Sequence, residues 1–345
     1  MRFGIIGSGS WATALAKILT DRKHSINWWI RNTDTIEQLK AMGTNPRYLS
    51  SAKFDTSLLT LSSAIKEVVS ESDTLVIAVP SAYAEESLTG LKTGDFKGKK
   101  IISAIKGLLP EKNILLNYWL QKEFNFPIED YFAVLGPCHA EEVAEEKLSY
   151  LTFSGTDITT TSEIASHFTN KYINTIVNHD ILGVQYAAVL KNIYALGAGI
   201  VHGLDYGDNF LSVYIANAAD EMAGFLKKFG VEHITVGEHE GEDPITHRKT
   251  PNYAASVYLG DLLVTCYSLH SRNRGFGKMI GEGRSILAIK SEMNMVAEGY
   301  NAAKCIYNIN KSIDAAIPIA ETIYKILWEG LKPYDGFKRI EQVLV

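Results

Sequence analysis

Several stretches of this chain hold residues whose types and spacing could do chemistry. Lys191 is the lone strong charge between Gly183 and Gly197. If that run is helical, its neighbours three and four positions away are Ala187, Ala188, Tyr194 and Ala195. An amine held against such a face is partly desolvated and is suited to proton transfer. The alternative is a lysine with a buried stem and a head that reaches water. Arg272 offers a planar fork suited to phosphate, with Ser271 and Asn273 as neutral donors beside it. Helix capping by Ser271 and Asn273 competes with that role. Asp261 and Thr265 stand four apart and can share a helix face, where Asp261 would orient a lysine or bind a hydroxyl. Lys106 follows an apolar run and precedes Gly107, so it is either a ligand-facing lysine at a strand end or a solvated loop lysine.

Two glycine turns could hold anions. Gly7-Ser8-Gly9-Ser10-Trp11-Ala12 follows the apolar Phe3-Gly4-Ile5-Ile6 and runs into a helical pattern with Ala12, Leu15, Ala16 and Leu19 on one face. Strand, glycine turn and helix give G-x-G-x-x-(G/A) its dinucleotide-binding meaning. Gly7 permits the tight turn, Gly9 the close approach of a pyrophosphate, and Ala12 close helix packing. The helix N-terminus supplies free N–H groups and a positive dipole end. Gly136-Pro137-Cys138-His139-Ala140 is a second turn entering a helix, with backbone N–H groups able to hold an anion or carbonyl oxygen. Nothing there favours a thiolate, so Cys138 reads as a small lining residue and His139 as a structural helix-start residue. Arg31 sits where such folds read the adenosine ribose. No acid lies in 28–32, which leans the cofactor to NADPH over NADH, because an arginine accommodates a 2′-phosphate. His233, His239 and His247 match no compact ligand spacing, so no metal is expected.

The elements around these residues change character along the chain. Apolar runs at Ser25–Ile30, Thr74–Val79, Lys100–Ile105, Tyr131–Leu135, Tyr150–Phe153 and Tyr172–Val177 alternate with helical patterns. That alternation predicts an α/β Rossmann-type doubly wound, mostly parallel sheet over residues 1–178. From 179 to 345, alanine- and leucine-rich stretches of helical period predict an all-helical domain, with helices near 181–198, 209–229, 258–268, 298–309 and 316–329. Gly237 to Asn252 is polar and reads as a surface loop. With 345 residues, 46% of them hydrophobic, the chain can bury a sizeable core. A net charge of −5 gives no global attraction to nucleic acid or an acidic membrane. No apolar run reaches the about 18 residues of a membrane span. The chain opens into a strand instead of a signal peptide, and Cys138, Cys266 and Cys305 are odd in number and dispersed. A cytoplasmic protein in a reducing compartment, without stable membrane insertion, is the expectation.

Taken in order, these segments resemble the soluble bacterial NAD(P)-dependent glycerol-3-phosphate dehydrogenases over nearly the whole chain. The matching stretches are Gly7–Ala16, Ala104–Leu108, Gly136–Ala144, Leu190–Gly199, Gly260–Cys266 with Ser271–Arg274, and Val296–Tyr300. The resemblance implies reduction of dihydroxyacetone phosphate to sn-glycerol 3-phosphate, feeding phospholipid synthesis. Lys191 would donate the proton to the ketone oxygen and accept it in reverse. Asn192 and Asp261 would orient it or the substrate hydroxyls, and Lys106 would touch both substrate and cofactor. Arg272 and Asn273 would clamp the phosphate beside Ser271, with Gly136, Cys138 and Thr265 also lining the substrate. Gly7, Gly9, Ser10, Trp11, Arg31, Tyr48, Lys106, Gly136, Ala140, Arg272, Val296 and Glu298 would line the cofactor. The expected assembly is a homodimer. The chain departs from the family pattern at Ala12, at Cys138 and His139, at Ser256–Leu259, and by an apparent insertion from Glu238 to Asn252. Competing functions are a related dehydrogenase of another small hydroxy compound, which Arg272-Asn273 argues against, and a catalytically silent NAD(P)-sensing protein.

Overall fold

Phe3, Ile5 and Ile6 are wholly buried, and β1 (Phe3–Ile6) lies inside an eight-stranded sheet. The computed structural model describes residues 1–231, 254–293 and 297–345. The 237–252 loop, His233, His239, His247 and the cofactor candidate Val296 lie outside the described residues. The chain forms two compact units, residues 1–105 with 115–181 and residues 106–114 with 182–345.

The first unit is Rossmann-type. Its further strands are β2 (Ile26–Trp29), β3 (Leu59–Ser62), β4 (Thr74–Ile77), β5 (Lys100–Ser103), β6 (Tyr131–Leu135), β7 (Ser149–Ser154) and β8 (Ile173–Asn178). They stand in the order β3-β2-β1-β4-β5-β6-β7-β8. β3 through β6 run parallel, β7 is antiparallel to β6, and β8 is parallel to β7. Ile6 of β1 lies beside Trp29 on one side and Ile77 on the other. The strand order reverses there, and ligands of such sheets bind beyond the carboxyl ends at that point. The helix α1 (Ser10–Asp21) follows β1, with Ala12, Leu15, Ala16 and Leu19 fully buried. β3 is the strand that hydrophobic patterning does not find. It is an edge strand whose residues are half-buried or exposed, so it lacks the continuous apolar run of the central strands.

The second unit is helical. The helix Ile181–Gly203 is long and apolar enough to cross a membrane by length and composition, which corrects the expectation that no run is. Its whole apolar window is instead buried within the protein, as for a core helix. Helices follow at Gly207–Lys227, Asp261–Tyr267, Arg272–Gly281, Ile286–Glu292, Glu298–Ile313, Pro318–Trp328 and Pro333–Ile340. A π-helical turn, Ala254–Gly260, leads directly into the one that starts at Asp261. Residues 106–114, inside the span expected of the first domain, group with this helical unit. One cause is local: Asn192 Nδ2 donates to the Lys106 carbonyl at 2.9 Å.

Helix Arg272–Gly281 meets helix Ile181–Gly203 backbone to backbone. A Cβ on Gly277 would overlap the Leu196 carbonyl oxygen, and one on Gly199 the Arg274 carbonyl oxygen. Gly277→Ala is therefore expected to cost about 1–3 kcal/mol by overpacking, read as a lower midpoint in urea unfolding. Glu221 closes another buried junction. Its carboxylate accepts from the N–H groups of Ile319 (2.7 Å) and Ala320 (2.9 Å) at the start of helix Pro318–Trp328, and from the Tyr194 hydroxyl at 3.1 Å.

Candidate active site

The glycine turn after β1 is built by its neighbours in the sheet. Gly7 has φ 124°, a conformation that favours glycine, and a Cβ there would overlap the Ala78 carbonyl oxygen beyond β4. The Trp28 indole donates to the Gly7 carbonyl at 2.6 Å. Gly9 is the N-cap of α1, and no side chain caps the helix. A Cβ on Gly9 would meet nothing within 4 Å. The result is a glycine-edged cradle at an uncapped helix N-terminus, which fits a dinucleotide pyrophosphate. Ser10 is buried and Trp11 half-buried in the first turn of α1. Arg31, just past β2, is exposed and pairs with Glu86 at 3.3 Å, also exposed. Such a pair contributes little, so the guanidinium can turn to a ligand phosphate at small cost. Tyr48 is half-buried, and its N–H donates to Asn45 Oδ1 at 3.3 Å.

The second glycine turn also leans on the sheet. Gly136 has φ 135°, and a Cβ would lie 2.6 Å from the Tyr150 carbonyl oxygen. Cys138 is buried, and its thiol donates to that same carbonyl at 2.9 Å. The sulfur thus ties the turn to β7. His139 is the N-cap of the short helix Ala140–Ala144, and Ala140 is buried.

The helical unit collects the other candidates. Lys191 Nζ is ion-paired with Asp261 Oδ1, and both side chains are almost completely buried, at 4% and 2% exposure. Asp261 Oδ2 is also buried and has no hydrogen-bond partner among the described residues. One carboxylate oxygen therefore fixes the lysine while the other remains an unmet acceptor, which a substrate hydroxyl would satisfy. Thr265 shares the helix face of Asp261, but its hydroxyl donates to the Asp261 carbonyl at 2.6 Å. Cys266 lies nearby. Burial pushes its thiol up to about 12, against the opposing charges of Lys191 and Arg274, so it is neutral at physiological pH and no nucleophile.

Asn192 and Asn273 bond to each other. Asn273 Nδ2 donates to Asn192 Oδ1 at 2.8 Å, and Asn273 Oδ1 accepts from the Gly299 N–H at 2.9 Å. Together with the Asn192 bond to Lys106, this joins four segments through two side-chain amides. Asn273 retains a single N–H for any further ligand. Gly299 is small for the same reason: a Cβ would overlap the Asn192 carbonyl oxygen. Ser271 is the N-cap of helix Arg272–Gly281, its hydroxyl accepting from the Arg274 N–H at 3.3 Å. Arg272, the first residue of that helix, is exposed, while Lys106 and Glu298 are half-buried. Hydrophobic periodicity overlooks Asn45, which organises the first glycine turn. The Asn45-Pro46 dipeptide is its signal, since asparagine before proline favours a turn closed by its own side chain.

Comparison with known proteins agrees with this geometry. Residues 2–161 match the family described as NAD-dependent glycerol-3-phosphate dehydrogenase N-terminus, and residues 180–338 match its C-terminus. The chain belongs to the NAD(P)-dependent glycerol-3-phosphate dehydrogenases. The glycerol-3-phosphate dehydrogenase [NAD(P)+] of Chlorobium limicola is 33% identical over 331 residues, covering 96% of this chain and 94% of that protein. The enzyme of the same name from Bacillus subtilis is 32% identical over 95% of this chain and 90% of its own length. In fold, the chain is similar to the crystal structure of glycerol-3-phosphate dehydrogenase from Coxiella burnetii, with a TM-score of 0.85, 24% identity, and coverage of 99% and 98% of the two chains.

Proposed function

We propose that this dehydrogenase reduces dihydroxyacetone phosphate to sn-glycerol 3-phosphate, reversibly. The observation that carries this reading is the buried Lys191–Asp261 pair with its unmet Asp261 Oδ2. Bound NAD(P)H supplies a hydride to the carbonyl carbon. Lys191 gives a proton from Nζ to the carbonyl oxygen as the charge develops there, and takes it back in the oxidation. Asp261 Oδ1 holds that amine in place, and Oδ2 accepts a substrate hydroxyl. Arg272 takes the phosphate as a fork, with the remaining Asn273 N–H beside it. A charge bound far from the reacting carbon then positions that carbon. Gly7, Gly9, Ser10, Trp11, Tyr48, Gly136 and Ala140 receive the cofactor, and Arg31 favours NADPH over NADH. Residues 1–178 serve as the dinucleotide domain and 179–345 as the substrate domain. The product feeds phospholipid synthesis, and the dispersed free cysteines suit a cytoplasmic setting.

The decisive assay mixes purified protein with dihydroxyacetone phosphate and either NADPH or NADH, followed at the reduced-nicotinamide absorbance. Turnover with both, and a higher kcat/KM with NADPH, is the expected result. Absence of turnover with either cofactor sinks the proposal, and preference for NADH sinks the role given to Arg31.

A further inference from the structure

Asn45 is fully buried and uses all of its hydrogen-bonding capacity. Its Nδ2 donates to the Ser8 carbonyl at 3.0 Å and to Thr13 Oγ1 at 2.8 Å. Its Oδ1 accepts from the N–H groups of Arg47 at 3.1 Å and Tyr48 at 3.3 Å. Ser8 is the residue between the two glycines of the turn, and Thr13 lies in the first turns of α1. Thr13 in turn gives both its N–H (2.9 Å) and its hydroxyl (3.0 Å) to the Gly9 carbonyl.

These contacts set the direction of the loop donors. A trans peptide holds its C=O and the following N–H antiparallel in one plane, and the described residues contain no cis bond. With the Ser8 carbonyl drawn toward Asn45, the Gly9 N–H points to the opposite side. With the Gly9 carbonyl drawn toward Thr13, the Ser10 N–H is fixed likewise. Two successive peptide planes at the helix N-terminus are thus held by one amide and the hydroxyl it bonds. The other end of the same amide holds the backbone of Arg47 and Tyr48.

We propose that Asn45 is a positioning residue for cofactor binding, aiming the Gly9 and Ser10 N–H groups and seating Tyr48 through a single buried side chain. This rests on the reading that the Gly7–Ala12 turn receives the nicotinamide dinucleotide. Asn45→Asp isolates the role. A carboxylate still accepts from the Arg47 and Tyr48 N–H groups, but it has no hydrogen to give the Ser8 carbonyl, which then faces a like charge.

The test measures NADPH and NADH binding to the free protein by fluorescence titration, beside steady-state kinetics and melting. Asn45→Asp is expected to raise the dissociation constant and KM of the preferred cofactor at least about tenfold, as loss of a buried hydrogen bond at a charged-ligand site does. The KM for dihydroxyacetone phosphate and kcat should stay within about threefold, because the groups given to proton transfer and the substrate phosphate lie elsewhere in the sequence. Thr13→Val, which removes one acceptor of Asn45, should raise the cofactor constant in the same selective way. A folded Asn45→Asp protein that binds cofactor like the wild type overturns the proposal. So does an equal rise in both substrates' KM. If Asn45→Asp does not fold, wild-type affinity in Thr13→Val overturns it, and selective weakening there supports it. Failure of the wild type to bind either cofactor overturns the underlying reading, and is recognised because no variant is involved.

Discussion

A Lys191→Met variant is expected to lose at least ~100-fold in kcat, the usual worth of a positioned proton donor. Folding responds as well. Asp261 is 1% exposed and loses its cationic partner. Removing one member of a buried pair typically costs about 3–5 kcal/mol, because the other charge is left uncompensated. The two consequences separate in the double variant Lys191→Met/Asp261→Leu. Replacing both charges with apolar groups of similar size returns much of the stability. It returns no proton donor. Urea unfolding should therefore recover toward the wild type while the initial rate stays down. Recovery of the rate together with the stability would show that the loss in Lys191→Met is a folding effect and that another group moves the proton.

The second large effect is a loss of stability as pH rises. Burial pushes the Glu221 carboxyl up from 4.5 to about 7, against the N–H groups of Ala320 and Ile319 and the Tyr194 hydroxyl, which favour the charged form. Between those values the folded chain holds a proton that the unfolded chain has released. Stability therefore falls with rising pH across that window, by about 1.4 kcal/mol per unit at the steepest and about 3 kcal/mol in all. Above about pH 7 this contribution is constant. Glu221→Gln removes the titration, and its stability should run flatter from pH 5 to 7 than that of the wild type. Thermal melts at half-unit steps of pH measure the difference. An identical slope in the two proteins would place the pH dependence at another group.

The sheet was legible where burial was continuous. β1, β4 and β6 are apolar runs buried on both faces, whereas β3 is a half-exposed edge with no such run. Gly7 was legible because its positive φ leaves few alternatives to glycine. Helix Arg272–Gly281 was hidden by Gly275, Gly277 and Gly281, whose low helix propensity conceals it. Gly277 and Gly281 are there because the backbone of a neighbouring helix lies against them. In the site, the types of Lys191 and Asp261 were readable, but periodicity cannot pair residues so far apart in sequence. Asn273 read as a phosphate donor, since nothing local reveals that Asn192 and Gly299 occupy most of its amide. The sequence around Asn45 marks a turn, but its partners Ser8 and Thr13 lie more than 30 residues away and are brought to it only by the fold.

The placement of β1 also fixes when its glycine turn can take shape. β1 pairs with β2 on one side and with β4 on the other, and the Gly7 turn closes against Trp28 and Ala78. On a ribosome adding about 5–20 residues per second, Trp28 follows Gly7 by roughly 1–4 s and Ala78 by roughly 4–14 s. The glycine turn is thus completed by residues made after it, and until β2 and then β4 follow, β1 is an apolar segment with open edges. Shielding it in that interval falls to α1, which is made directly after it and packs on its face with no long-range partner required.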